Sequence, residues 1–262
     1  MVMGVFLRQG LQGYWTCNDA SGDLIDVSGF GNDASPAVGA IDYGQSSLIT
    51  EAGGSSIRLN FGGGTSYFSV PATNDLNFGD ESFSISLWSN QFNESGGSGA
   101  WVQRYVSTNQ RSYNLIYISG TNTARFLVSP DGTNTNQTAL DSTVTMTVDG
   151  STTYHIVAIH DAQNDQLRIY VSPSSGSLDS GDSIAHTDGC WDANTNAIEF
   201  GRHVIGGNHI HGNMDEIGIW RRALNDAEIE ALFNEGEGLP FSQFRFPGGM
   251  SRQIRKRRMN AS

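Results

Sequence analysis

The chain has 262 residues, 37% of them hydrophobic, with 32 glycines and a formal net charge of −12. That length holds one large domain with a sizeable core, and the glycine content favours short strands joined by turns over helices. The charge is split: residues 239–262 carry Arg245, Arg252, Arg255, Lys256, Arg257 and Arg258 and no acid, which leaves nine basic against 27 acidic residues elsewhere and excludes nucleic-acid binding by that acidic body.

Residues 1–10 show no periodic pattern and read as an N-terminal arm. Residues 12–17 read as the first strand, and 18–32 as a Gly/Asp/Ser loop with a strand-like Leu24-Ile25 inside. Short strands follow at 46–50, 55–61 and 67–70, punctuated by Gly53-Gly54 and Gly62-Gly63-Gly64. Phe83, Ile85 and Leu87 alternate with serines, the mark of a strand with one buried face. Further strands are expected at 101–106, 113–119 and 124–129. Residues 143–148 and 152–160 flank Asp149-Gly150, a hairpin signal. Strands at 167–171, 184–186 and 198–202 precede 214–221. There Met214, Glu216, Gly218 and Trp220 alternate with Asp215, Ile217, Ile219 and Arg221. One helix follows, with Asn225 as N-cap, Glu228 completing a capping box, Leu224 and Ile229 as a staple, and Gly236 and Gly238 as a stop. About fourteen short strands without an internal repeat mean an all-β sandwich or jelly roll.

A resemblance rests on these segments. Gly13-Tyr14-Trp15, Asp26-Val27-Ser28-Gly29-Phe30-Gly31 and Tyr67-Phe68-Ser69-Val70-Pro71 come first. Residues 83–88, 166–171 and Met214-Asp215-Glu216-Ile217 running into Arg222-Ala223-Leu224 follow. In this order and spacing, over roughly residues 10–236, they resemble the laminin-G-like/concanavalin-A-like jelly-roll family. The resemblance implies a two-sheet antiparallel sandwich, here 11–238, with one short C-terminal helix and a basic extension at 239–262. It implies no single function, since such domains serve as lectins, adhesion modules, enzyme appendages and virion proteins. It also implies a structural calcium where the early loop meets an acid of the last strand, at Asp26 and Asp215 with Asn32 and Gly29 as helpers. Oxygen ligands on irregular backbone suit Ca²⁺, and ordinary Asx-turn chemistry is the competing reading. Asp215, on the core side with Ile217, calls for a cationic or metallic partner.

A glycosidase needs two carboxylates on one sheet face. Asp215 and Glu216 are adjacent and so point to opposite faces. Glu228 and Glu230 have the right spacing but lie on the helix. No catalytic set is therefore expected. His209 and His211, with His203 nearby, would share a strand face suited to a transition metal, but the surrounding glycines make them loop residues. His155 and His160 have opposite parity. Cys17 and Cys190 read as two buried free thiols, with a bond between neighbouring first and last strands as the alternative. Trp88, out of phase with Phe83, Ile85 and Leu87, and Trp191 are the candidates for an exposed ring that binds a sugar. In the tail, Phe241 and Phe244 followed by Arg255, Lys256, Arg257 and Arg258 read as an anchor docking on an acidic neighbouring subunit.

Val2, Val5, Phe6 and Leu7 form too short an apolar run for a leader, and no run approaches a membrane span. The expectation is a non-catalytic recognition and attachment module, a structural or decoration subunit of a virus or phage particle that binds surface glycans. Its partners are other subunits of an oligomeric assembly, and it is cytoplasmic before assembly. The alternative is a free extracellular calcium-dependent lectin, with a glycoside hydrolase third.

Overall fold

The computed structural model describes residues 6–60, 65–92, 97–106, 109–192, 195–204 and 207–245. The strands in chain order begin β1 (Leu11–Trp15), β2 (Ser35–Val38), β3 (Ile41–Ser46), β4 (Ser55–Leu59), β5 (Tyr67–Val70) and β6 (Phe83–Gln91). They continue as β7 (Ala100–Val106), β8 (Gln110–Ile118), β9 (Thr123–Val128), β10 (Thr138–Asp141), β11 (Thr153–Asp161) and β12 (Gln166–Pro173). The last are β13 (Asp182–Ala185), β14 (Ile198–Phe200), β15 (Arg202–His203), β16 (Asn208–His209) and β17 (Gly212–Trp220), followed by the helix α1 (Asp226–Phe233). An eight-stranded sheet runs β13-β12-β11-β6-β17-β4-β3, with β1 also on β17, and a seven-stranded sheet runs β10-β9-β8-β7-β14-β5-β2. Every pairing within them is antiparallel, so the fold is the expected all-β two-sheet jelly roll with one short helix.

Alternation builds the core between the sheets. Phe83, Ile85 and Leu87 of β6 meet Tyr113, Leu115 and Tyr117 of β8 and Phe126 of β9 in one buried cluster, with Trp15, Phe68, Ile156 and Ile219. Cys17 and Cys190 are buried in the same cluster and unbonded. Two Gly-x-Trp pairs set how β1 and β17 lie together. A Cβ on Gly13 would fall 2.4 Å from the Trp15 ring, and one on Gly218 would fall 2.4 Å from the Trp220 ring. Each glycine thus makes room for the indole two residues later on its own face.

β17 departs from simple alternation. Its pairing with β6 slips between Asp215 and Gly218, and Glu216 takes a left-handed φ of 48°. This bulge adds one residue to the strand and flips the parity on one side of it. Met214 therefore joins Ile217 and Ile219 in the inter-sheet core, where the sequence pattern sets it with Trp220. Asp215, paired with Trp88, lies on the outer face rather than the core side, and Glu216 follows it there onto Tyr14. The bulge also divides the strand's partners: Gly212–Met214 pair with β4, and Ile217–Trp220 with β1.

The two outer faces differ. Tyr14, Val157, Ile159, Tyr170 and Trp220 project from the eight-stranded sheet and are covered by Leu7, Leu224, Ile229, Leu232 and Phe244. Trp88, Ile49 and Phe233 form a smaller patch on that side. The packing therefore continues past the boundaries drawn at residues 10 and 238. Phe241 stacks on Tyr14 at 4.8 Å, and Phe244, only 6% exposed, meets the same ring edge-on at 5.0 Å. Both phenylalanines, expected to anchor on a neighbouring subunit, are spent on the chain's own surface. Arg255, Lys256, Arg257 and Arg258 lie outside the described residues. No hydrophobic cluster among the described residues covers the outer face of the seven-stranded sheet.

α1 forms where its caps dictate. The Asn225 side chain accepts from the Glu228 N–H, and the Glu228 carboxylate accepts from the Asn225 N–H, the reciprocal capping box. Glu228 also binds Arg222 at 2.6 Å, so one carboxylate fixes both the helix start and the chain entering it. Asn225→Ala is expected to cost about 1 kcal/mol of stability, read as a lower denaturation midpoint with unchanged slope. Some local expectations fail: the strand expected at 46–50 lies at Ile41–Ser46 instead. Residues 143–148 form no strand. Asp149 instead caps the entry to β11 by accepting from the Ser151 and Thr152 N–H groups, so Asp149-Gly150 is not a hairpin turn. β2 has no apolar alternation and its residues are exposed, which hid it in the sequence.

Candidate functional site

The outer face of the seven-stranded sheet carries a row of side chains set by strand register, of which Gln103 and Asn114 are fully buried. Ser69 of β5 lies opposite Glu199 of β14, Glu199 opposite Gln103 of β7, Gln103 opposite Asn114 of β8, and Asn114 opposite Leu127 of β9. Ser69, Glu199, Asn114 and Leu127 each sit between two core residues of their strand, and Gln103 between Val102 and the buried Arg104, so alternation turns the row outward. Gln103 donates through Nε2 to Glu199 Oε2 at 2.7 Å and accepts at Oε1 from the Val204 N–H at 3.5 Å. Arg202 closes on Glu199 Oε1 at 3.4 Å and lies over the Tyr67 ring at 4.5 Å. Burial raises the Glu199 carboxyl above its ordinary range, against the pull of Gln103 and Arg202.

Beside the row stands Tyr105. Arg111 lies over its ring at 5.4 Å, His203 packs near it at 6.4 Å between centroids, and Gln137 Nε2 donates to its hydroxyl at 2.6 Å. Among the described residues, four polar atoms here are buried without a hydrogen-bond partner: Asn114 Nδ2 and Oδ1 in the row, and Arg111 Nε and His203 Nδ1 beside Tyr105. Burial keeps the His203 imidazole below its ordinary pKa. Native proteins leave few such atoms, and a cluster on one face calls for a ligand or ordered water. The set offers an amide donor and acceptor, a guanidinium donor and a neutral imidazole around an aromatic ring, which is the chemistry that recognises hydroxyl groups.

The rim of this face holds a large aromatic ring that reaches solvent. Trp191 is 36% exposed while its backbone is pinned, its N–H donating to the Ser129 carbonyl and its carbonyl accepting from Ser112 Oγ, both at 2.7 Å. Gly132, at φ 80°, lets the loop pass: a Cβ there would sit 2.7 Å from the Asn109 carbonyl and 3.1 Å from the indole. Asp131 ties this loop by accepting from the Thr133 N–H and hydroxyl and from Asn136, and those bonds lower its pKa. The loop ends at Gln137, on Tyr105, so rim and floor are joined.

The model of the concanavalin A-like lectin/glucanases superfamily matches residues 62–230. The chain belongs to that superfamily. Its fold is also that of solved toxin domains. The binding domain of botulinum neurotoxin DC, in complex with rat synaptotagmin II, is 16% identical with a TM-score of 0.60 over 87% of this chain and 52% of that one. The binding domain of Paraclostridial mosquitocidal protein 1 is 19% identical with a TM-score of 0.58 over 87% and 52%. A botulinum neurotoxin type C structure, described by cell entry dependent on interaction with two ganglioside molecules, is 14% identical with a TM-score of 0.59 over 88% and 52%. This superfamily chain thus spans about half the length of the solved chains it matches, and at these identities the likeness is one of fold. No curated protein matches its sequence.

The residues expected to hold calcium do not form one cradle. Asp26 takes the Tyr14 and Ser28 N–H groups on Oδ1, at 3.0 and 2.9 Å, and the Asn32 N–H on Oδ2 at 2.9 Å. Three backbone donors aimed at the carboxylate are what a cation would have to displace. Asn32 spends its amide on the Gln12 carbonyl and the Thr73 hydroxyl, and its own carbonyl accepts from the Trp15 indole. Asp26 is a staple that folds the 26–33 loop over β1, and Gly29 at φ 104° serves that turn. Asp215 lies elsewhere, accepting on Oδ2 from Ser47 Oγ and the Leu48 N–H, both at 2.9 Å. The donor set does not fit Ca²⁺, and no cluster of three or more His, Cys, Asp or Glu able to hold a metal occurs among the described residues.

Trp88, expected exposed, is 2% exposed. Its parity was read correctly, but the outer face it reaches is roofed by α1, where Phe233 stacks parallel to it and His155 lies at 5.0 Å. Trp191 keeps the exposure expected of it. His209 pairs in β16 opposite Arg202 near Tyr67, half-buried rather than a free loop residue. No helix among the described residues is long and apolar enough to cross a membrane. Asn114, Gln103, Glu199 and Arg111 escaped the sequence reading, and His203 was noted only as a neighbour of the loop histidines. For Asn114 and Glu199 the one signal is a polar residue flanked by core residues in a strand, which reads as an ordinary solvent-facing position.

Proposed function

We propose that the chain is a non-catalytic glycan-recognition module that holds a sugar against the outer face of the seven-stranded sheet, with Trp191 stacking at the rim. The observation that carries the reading is the group of unmet polar atoms on Asn114, Arg111 and His203 around Tyr105. Each sugar hydroxyl both donates and accepts, so a saccharide can serve all of them at once. Support also comes from the superfamily and from fold relatives that are toxin binding domains, one described with gangliosides. A hydrolytic reading is disfavoured because the row contains one carboxylate, Glu199, already tied to Gln103 and Arg202, whereas glycosidases use two.

The acidic body and basic C-terminal end favour attachment of this module to a larger particle, a virus or phage decoration subunit among them, through residues beyond 245. Full-length protein applied to a glycan array that includes ganglioside oligosaccharides tests the binding, and an array without hits overturns it. Trp191→Ala is expected to weaken the best hit roughly 30-fold, since an aromatic hot spot is worth about 2 kcal/mol, with the melting temperature unchanged.

A further inference from the structure

Two buried histidines lie under the segment that delivers Trp191. His160, fully buried near the end of β11, has Nδ1 3.0 Å from the Glu81 carbonyl and Nε2 3.4 Å from the Asp188 carbonyl. A neutral imidazole carries one N–H and can donate to only one of these carbonyls, whereas the charged ring donates to both. His186 stands edge-on to it, with ring centroids 5.3 Å apart. Its Nδ1 lies 2.8 Å from the Thr138 hydroxyl, and its Nε2 is buried without a hydrogen-bond partner.

The charged groups facing the pair are Asp80, Asp161 and Asp188, with Arg168 facing Asp161; Glu81 offers its backbone carbonyl, while its carboxylate binds Arg221. One added proton is therefore accommodated by carbonyls and carboxylates. A second places two imidazolium rings side by side in a buried site. Burial first, and for His186 the neighbouring His160, lowers both pKa values from their ordinary position.

The segment 186–191 has no regular structure. The ring pair holds one end of it. The other is held by Cys190 N–H on the Gly79 carbonyl at 2.9 Å and by the Trp191 backbone bonds. We propose that His160 and His186 form a proton-operated clasp on this segment, closed while one ring is neutral and opened when both are charged, so that acid displaces Trp191 and lowers the affinity of the glycan site. The last step rests on the glycan reading; the clasp does not. The sign follows from linkage. Groups whose folded pKa lies below the ordinary histidine value stabilise the closed state above about pH 6.5 and lose that contribution as pH falls through the depressed pKa values.

Hydrogen exchange of the full chain, followed by mass spectrometry from pH 8 to pH 4.5 and corrected for intrinsic rates, reads the clasp directly. Peptides covering 186–191 are expected to exchange about tenfold faster at the acid end, while those of β6 and β8 stay protected. His186→Gln keeps a partner for Thr138 and cannot be charged, so its exchange is expected to be flat across the range. His160→Gln serves the same purpose if the first variant loses its far-ultraviolet dichroism. Flat exchange in the unaltered chain, or an unchanged acid response in a folded variant, overturns the clasp. An acid response without binding to any arrayed glycan at pH 7.5 overturns the glycan reading and supports the clasp alone. Binding that holds its affinity at pH 5 while the segment opens overturns the link between them.

Discussion

Asn114→Leu is expected to raise the stability of the protein and abolish its glycan binding. The side chain is fully buried, and both its amide atoms lack partners. An unmet buried polar group costs about 1–3 kcal/mol, and leucine has nearly the same volume without that penalty. The gain should be of that order, about 2–4 °C in melting temperature for each kcal/mol in a chain of this size. Stability that rises when a residue is removed marks a position kept for something other than folding. The neighbouring Gln103→Leu supplies the contrast. Gln103 is satisfied on both sides, so its loss strands Glu199 and the Val204 N–H and should destabilise. Thermal melts of both variants beside the array measurement decide the matter. A lower melting temperature for Asn114→Leu would mean the amide is bonded within the protein, and the site would lose its central residue.

The fold was legible because most strands obey one rule. Phe83, Ile85 and Leu87 fixed the face of β6, and the capping box at Asn225 and Glu228 fixed the single helix, each from residues within a few positions of one another. Failures came where local pattern and tertiary context part. The β17 bulge moved Met214 into the core and Asp215 out of it, and nothing local to 214–221 marks the extra residue. Trp88 was read onto the correct face, but its burial depends on a helix more than 130 residues later in the chain. The candidate site was illegible for the same reason. Asn114, Gln103 and Glu199 come from three strands, and only their register makes a row of them. Trp191 could be named because an exposed ring in an irregular stretch needs no partner strand to be suspected. The calcium ligands named from the sequence do not fit together for two reasons: backbone N–H groups already occupy the Asp26 carboxylate, and Asp215 is bound to Ser47 and Leu48 instead.

The bulge also predicts an unusual pH dependence. Asp215 is 1% exposed and Glu216 3% exposed, consecutive on one strand. Glu216 accepts from the Tyr14 hydroxyl at 2.5 Å, and Phe241 stacks on that same Tyr14 ring, linking the first strand to the C-terminal segment. Burial lifts the Asp215 carboxyl to about 7, and burial followed by the nearby Asp215 charge lifts Glu216 well above its ordinary value. At these two carboxyls the folded protein therefore binds more protons than the unfolded chain above about pH 4. The contribution of this pair is full below that point and is lost as pH rises through about 7. For Asp215 alone the rise from its ordinary value to about 7 corresponds to roughly 4 kcal/mol. The buried histidines act in the opposite sense, because His155, held near 3, and His160 and His186 favour the folded state as pH rises toward 6.5. Comparison with Asp215→Asn separates the two trends. The amide oxygen can still accept from Ser47 and Leu48 and cannot ionise, so the variant should match the unaltered chain near pH 4 and exceed it by a few kcal/mol at pH 8. Urea denaturation at pH 4, 6 and 8 measures this difference directly. Equal stability of the two chains at pH 8 would place the Asp215 charge in contact with solvent or a cation, and the reading of this bulge as a protonated, dry joint between the two ends of the chain would fall.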